Sequence, residues 1–347
     1  MYFEPVSGNT VHQFVQNSDP KTCELDLIPT SLLMERLDIV LPTITHIVND
    51  SLNSGIFPQT HKPAAVKHML KKPTLDHNNP KKFHPVSNLS FLSKIMGKIV
   101  LFQMSNHLCS NSLVNPFRSA YKPGHSTETA LLEIANDLLL SFDNGNVSIV
   151  TYLDLSAVFD TTDHNILLSH LEHVFGIHST ALQYFSSYLA NRTQHVSINN
   201  LKSDPAPVLY SVPQDYVLGP VLFVLYTTPL SDVTERHSIY HNSFAEDMQL
   251  RKSAPPHHVS ELVQSMQECI HDVKVWMSNN KLKLNDDKTK AIIVSSQRTS
   301  TSLPMPDSLT VGTSIVMFRA PIFLSFMGIP SPLPRFLGDI FTLCSLT

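Results

Sequence analysis

Apolar residues recur at helical spacing through ELDLIPTSLLMERLDIVLPTITHIVNDSLN (24–53), where Leu32, Leu33, Leu37, Ile39, Val40 and Ile44 form the stripe. Pro29 and Pro42 mark boundaries, so the pattern predicts two short helices. A further helix is predicted over 127–142, with Ala130, Leu131, Ile134, Leu138 and Leu139 facing one way behind a Ser126 or Thr127 cap. The period then changes. Residues 147–155 are β-branched and aromatic and read as a buried strand whose end carries Asp154. Helices follow near 164–172 and 179–190, and HVSIN (195–199) with APVLYSV (206–212) reads as a hairpin about Lys202, Ser203 and Asp204. The apolar run 217–226 predicts a buried helix. IYHNSFAEDMQL (239–250) reads as two short strands meeting at a tight turn that holds Glu246 and Asp247. The clearest amphipathic helix is 259–277, and KLKLN (281–285), a charged turn at 286–288 and the strand AIIVSS (291–296) follow it. Strands and helices in non-repeating order predict an α+β fold, a sheet with helices on one face.

Composition narrows the class. At 347 residues and 42% apolar, the chain has enough material for two compact units and a buried core. A net charge of −4 does not mark a nucleic-acid binder, so such a role must rest on local charge. Residues 61–100 supply it: eight lysines (Lys62, Lys67, Lys71, Lys72, Lys81, Lys82, Lys94, Lys98) stand against Asp76 alone, giving +7. That is the footprint of a polyanion-facing surface, with a solvated lysine-rich face as the alternative. Four widely spaced cysteines without a CxxC pair argue against a zinc knuckle, a redox dithiol or a disulfide scaffold. The N-terminus has no basic n-region or apolar h-region. The longest uncharged apolar stretch, 320–334, is 15 residues broken by four prolines, too short for a membrane span. These bounds point to a soluble intracellular protein that is not secreted.

The chemically telling feature is a pair of acid-bearing strand ends, Asp154 on one side and Glu246-Asp247 on the other. Ionised carboxylates beside a buried sheet are costly unless paired or metal-bound. Adjacent strands that each end in an acid have the geometry to hold two Mg²⁺ ions about 3.5–4 Å apart, which clamps both oxygens of an in-line phosphoryl displacement. Two ordinary acidic loops would show the same spacing.

Longer strings carry more. YLDLSAVFDTTDHNIL (152–167) resembles motif A of LINE-type (non-LTR retrotransposon, mobile-element jockey-like) reverse transcriptases, D-L-S-x-A-F-D-x-V-x-H. SVPQDYVLGPVLFVLY (211–226) is similar to their motif B, and FAEDMQL (244–250) stands where the family has Y/F-A-D-D-x-x-L, motif C. WMSNNKLKLNDDKTK (276–290) resembles motif D. Upstream, 70–100 and FRSAYKPGHSTETALL (117–132) resemble the two fingers motifs, and FEPVS (3–7) with CELDLIPTSLL (23–33) resembles the segment before them. The resemblance runs in order from about residue 3 to 312.

It implies a right-hand polymerase: an N-terminal helical extension at 1–60, fingers at 61–146, a palm at 147–312 built on an antiparallel sheet with helices on one face, and no recognisable thumb. Residues 313–347 read as a divergent, poorly ordered tail, and no endonuclease domain is expected ahead of the fingers. The implied activity is RNA-directed DNA synthesis, in which an RNA template and DNA primer are extended from dNTPs with Mg²⁺ or Mn²⁺. Asp154, Glu246 and Asp247 fall on the metal ligands. Lys288 falls on the motif D lysine that protonates or neutralises departing pyrophosphate. Phe159 falls on the aromatic that crowds the sugar 2′ position, which argues against the alternative of an RNA-dependent RNA polymerase. Gln214, Lys122 and His84 fall on nucleotide-binding positions, and Lys71, Lys72, Lys81 and Lys82 on the nucleic-acid face.

Several working positions depart from the pattern. Glu246 stands for aspartate, His84 for the fingers arginine, and Lys122 for a triphosphate-gripping arginine. Ala120, Ser211 and Asp215 stand where the family has glycine, and Tyr216 where it has serine, in keeping with only 10 glycines in the chain. An inactive, nucleic-acid-binding remnant of a decaying element is therefore the second reading beside the working enzyme.

Overall fold

The structure is a computed structural model that describes residues 1–70, 83–113, 127–155, 161–198, 201–212, 217–244, 247–285, 288–296, 306–311 and 314–324. The chain forms two compact units, each discontinuous: Met1–Val114 with Phe159–Tyr226, and Asn115–Val158 with Thr227–Thr347. The first opens with helices α1 (Gly8–Gln16), α2 (Thr30–Glu35) and α3 (Leu37–Ser54). Strands β1 (Ala64–Leu70) and β2 (Phe83–Asn88) and helix α4 (Phe91–Ser110) follow. Helix α5 (Thr127–Asp143) and strand β3 (Val147–Asp154) belong to the second unit. The chain then returns to the first for α6 (His164–His173), α7 (Ser179–Leu189), β4 (Arg192–Ile198), β5 (Leu201–Lys202), β6 (Ala206–Val208) and α8 (Gly219–Thr227). Back in the second unit come α9 (Leu230–Arg236), β7 (Tyr240–Phe244), β8 (Asp247–Ala254) and α10 (Val259–Asn279). Strands β9 (Lys290–Ser296), β10 (Ser308–Val311) and β11 (Ser314–Leu324) end the described chain.

The helices expected at 127–142, 164–172, 179–190, 217–226 and 259–277, and the strands at 147–155 and 291–296, are present with ends shifted by at most two residues. The expected boundary at Pro42 is not: α3 runs through it. Its fixed φ suits a helix, and the hydrogen bond lost is to Asp38, which is exposed in the first turn and open to solvent. The stripe Leu37, Ile44, Val48 and Leu52 stays buried on the other side and holds the helix together. The helix ends at Gly55, with φ +68, where an added Cβ would come 2.7 Å from the Thr180 carbonyl oxygen of α7. Glycine is required there both by backbone conformation and by space.

In the first unit, β1 pairs antiparallel with β2 and parallel with β4; the expected hairpin is shifted, since β6 pairs with Arg192–Gln194 of β4 and Lys202, expected in the turn, pairs with Ser197 as part of β5. Beside this sheet, the rings of Phe57, Tyr184 and Tyr188 meet edge-on, 5.2–5.8 Å between centroids. Arg192, 3% exposed, reaches into that core. It lies 4.2 Å over the Tyr188 ring and donates from Nε to the Tyr188 carbonyl at 2.6 Å and from Nη1 to the Lys62 carbonyl at 2.9 Å. Lys62, also buried, donates to the Ala190 carbonyl at 3.0 Å. Both cations thus sit at the negative C-terminal end of α7. Burial, and then the neighbouring Arg192, push the Lys62 ammonium below its ordinary pKa.

The second unit is a six-stranded sheet in the order β10-β11-β9-β3-β8-β7. Two parts of the expected palm sheet need correction. It is mixed, because β11 runs parallel to β9 while the other pairs are antiparallel. Helices also cover both faces, as adjacent residues of β8 show. Arg251, opposite Val150, donates to Asp137 of α5, whereas Lys252, opposite Ile149, donates to Ser265 of α10 at 2.7 Å. Directly opposed residues share a face and successive residues alternate, so α5 and α10 lie on opposite sides. The α5 side is sealed by Ile134, Ala135 and Leu138 on Val150, Ile292 and Val294. The tail expected to be poorly ordered from residue 313 is corrected for Ser314–Leu324, which is β11. It pairs with β10 through Ser314–Met317 and with β9 from Phe318 to Leu324, and Pro321 falls in the register shift between Arg319 and Ile322, where its missing N–H takes no ladder bond.

Candidate active site

Strand β3 is buried along nearly its whole length and ends at Asp154, whose carboxylate is only 7% exposed. It pairs with β8 in one unbroken antiparallel register of eight pairs, from Val147↔Ala254 to Asp154↔Asp247. The final rung therefore sets the two expected metal-ligand positions directly opposite each other. Opposed positions have Cβ atoms about 4.5–5.5 Å apart, a separation one small cation site can span. Asp247 is the first residue of β8 rather than part of the turn, and β7 reaches the same end through Phe244↔Asp247. Glu246, in the connection, lies outside the described residues.

A strap returns to this end from the motif D segment. Leu284 bridges to Leu155, and the Asn285 N–H donates to the Asp154 carbonyl at 2.9 Å. The Asn285 carbonyl accepts from the Lys288 and Thr289 N–H groups, both at 3.2 Å, and from Thr289 Oγ1 at 3.1 Å. Thr289 is buried; Lys288 is half-exposed and extends its Nζ to 3.5 Å from Asp154 Oδ2. The structure thus brings together Asp154, the Asp247 position and Lys288. Of the other expected site residues, Phe159, Gln214, Lys122, Lys71, Lys72, Lys81 and Lys82 lie outside the described residues. His84 has its backbone on β2, opposite Met69.

Sequence reasoning missed a polar rung one step behind the acids. Tyr152, two residues before Asp154 and on the same face, is flanked in register by Gln249 of β8 and Lys290 of β9. Gln249 Nε2 and Lys290 Nζ are buried there without a hydrogen-bond partner among the described residues. Period-two spacing back from Asp247 would have found Gln249 once the register was known.

A second feature belongs to the first unit. Ser211, at a family glycine position, has φ +93. Its N–H donates to the Thr162 carbonyl at 3.0 Å, and its carbonyl accepts from His164 Nε2 at 2.8 Å. Asp163, between them, caps α6 by accepting from the Asn165 and Ile166 N–H groups. A side chain in that backbone region costs on the order of 1–2 kcal/mol, so Ser211→Gly should stabilise the chain by about 1 kcal/mol after glycine's own entropy cost. A urea midpoint that does not rise would show that the serine is unstrained.

Among the described residues, no group of three His, Cys, Asp or Glu side chains is placed to hold a metal ion. The opposed aspartate positions still fit one: hard carboxylate oxygens are the donors Mg²⁺ and Mn²⁺ take. Among the described residues, no helix is long and apolar enough to cross a membrane.

Residues 70–316 match the family model described as reverse transcriptase (RNA-dependent DNA polymerase). The chain is 26% identical over 248 residues to a probable RNA-directed DNA polymerase from transposon BS of Drosophila melanogaster, covering 70% of this chain and 27% of that protein. It is 25% identical over 269 residues to the RNA-directed DNA polymerase from mobile element jockey of the same species, covering 76% and 29%. A probable RNA-directed DNA polymerase from transposon X-element is 22% identical over 298 residues, covering 85% and 32%. The chain thus spans roughly 30% of the length of these relatives. With the family model matched over most of its length, the chain belongs to the reverse transcriptase family, in its LINE-type, non-LTR retrotransposon branch.

Proposed function

We propose that the chain carries the nucleotidyl-transfer site of an RNA-directed DNA polymerase, which adds dNTPs to a DNA primer on an RNA template. The observation that carries this reading is the unbroken β3–β8 register, ending with Asp154 opposite Asp247. In it the second unit's sheet is the palm, and Asp154, Asp247 and Glu246 would hold two divalent ions. Those ions, Mg²⁺ or Mn²⁺, would supply positive charge to the α-phosphate and acidify the primer 3′-hydroxyl. Lys288, beside Asp154, is the proton donor or countercharge for departing pyrophosphate. Phe159 excludes a 2′-hydroxyl, Gln214, Lys122 and His84 contact the nucleotide, and Lys71, Lys72, Lys81 and Lys82 contact the nucleic-acid backbone.

One sequence feature favours the second reading, a remnant that binds nucleic acid without turnover. Glu246 is one methylene longer than aspartate, which displaces its carboxylate by about 1.5 Å. A misplacement of about 1 Å at a reacting centre costs roughly 100-fold. Primer extension on an RNA template with Mg²⁺ or Mn²⁺ separates the two. Slow extension by the natural chain, raised roughly 100-fold by Glu246→Asp and abolished by Asp154→Ala, is the expected result. Binding of template-primer with no extension by either the natural chain or Glu246→Asp would replace the enzyme by the remnant.

A further inference from the structure

Lys288 reaches Asp154 because the backbone holds it there. The Leu155↔Leu284 bridge, the Asn285 N–H on the Asp154 carbonyl and the Thr289 hydroxyl on the Asn285 carbonyl dock the strap on the strand end that bears the carboxylate. The ammonium lies 3.5 Å from an oxygen of a carboxylate that is only 7% exposed, while the lysine itself is 50% exposed. Asp154 therefore has a built-in monovalent counter-ion on a flexible four-carbon stem. A divalent ion ligating the same carboxylate would sit about 2.0–2.1 Å from its oxygen, too close for the ammonium to stay without strong like-charge repulsion.

We propose that Lys288 is a tethered cation that competes with the divalent ion for Asp154, so that metal loading expels it from the carboxylate and frees its ammonium. The inference rests on the reading of Asp154 as a metal ligand and adds a coupling to it. Binding linkage is reciprocal: whatever factor Lys288 subtracts from metal affinity, the metal subtracts from the Lys288–Asp154 contact. Release and loading thereby become one event, and the lysine is available as a proton donor only when the site is charged. Thr289 is the positioning residue, since its hydroxyl helps close the turn that presents Lys288.

The test is Mn²⁺ titration of the full chain, without nucleic acid or nucleotide, followed by the electron paramagnetic resonance signal of free Mn²⁺. Lys288→Met should tighten binding about two- to fivefold, the range expected from removing a partly exposed ion pair. Thr289→Val, which keeps the lysine but loosens the turn, should move affinity the same way by less. Unchanged or weaker binding in Lys288→Met overturns the competition, provided that Asp154→Asn still loses binding. Should Asp154→Asn bind Mn²⁺ like the natural chain, the reading of Asp154 as a ligand fails and the competition fails with it. Both Lys288 variants and Thr289→Val are to be checked by circular dichroism, and Lys288→Gln gives a second, polar substitution of the same charge change.

Discussion

Asp154→Asn should slow RNA-templated primer extension by about 10²–10³-fold, with Mg²⁺ and Mn²⁺ alike. The substitution keeps the volume and planar shape of the side chain at the buried end of β3 and removes only its charge. Asn285 docks on the Asp154 main-chain carbonyl, so the strap survives the change. Fixed charge placed where charge develops in a transition state is commonly worth a few kcal/mol per group, which sets this range. The expected signature is a fall in kcat with template-primer affinity retained, because the nucleic-acid contacts proposed above are the basic positions and not the acid. A thermal midpoint matching that of the natural chain is part of the expectation. A loss below tenfold with an intact fold would remove Asp154 from the machinery.

Arg192→Met should cost about 3–5 kcal/mol of stability, a large part of the roughly 5–15 kcal/mol that holds a typical domain. The guanidinium satisfies the Tyr188 and Lys62 carbonyls, and each buried carbonyl left without a donor costs about 1–3 kcal/mol. The contact with the Tyr188 ring face, at 4.2 Å, adds about 1–2 kcal/mol when desolvated. Some of this is offset because Lys62 no longer faces a second buried cation. Arg192→Lys should recover only part of the loss, since an ammonium cannot reach both carbonyls in the planar geometry of the fork. Urea unfolding followed by far-ultraviolet dichroism checks both variants. A cost under about 1 kcal/mol would mean that water replaces the fork.

Asp154 is legible in the sequence because a β-branched run ends on it, and the two strands around Glu246-Asp247 are legible as apolar flanks on either side of an acid-bearing turn. Lys288 is not legible from spacing; only the motif resemblance singles it out from other turn lysines. Arg192 carries no signal of either kind. It opens a polar strand, RTQHVSI, and its role depends on the C-terminal carbonyls of α7 and on Lys62, 130 residues away. The coverage of both sheet faces is hidden for a related reason. The apolar stripes of α5 and α10 look alike in one dimension, and only the register that turns Arg251 and Lys252 to opposite sides assigns each helix a face. Pro42 misleads because a proline reads as a stop unless its ring and the orphaned carbonyl are known to face water.

The interleaving of the two units has a consequence during synthesis. Strand β1 takes β4 as its parallel partner, Ala64 opposite Gln194, so half of its hydrogen-bonding edge is without a partner until 130 more residues have been added. At about 5–20 residues per second, that interval lasts on the order of 6–26 s on the ribosome. A strand edge left open for so long is a template for pairing with a neighbouring nascent chain. The eight lysines of residues 61–100 are the kind of charge that discourages such pairing while the chain waits for its own second half.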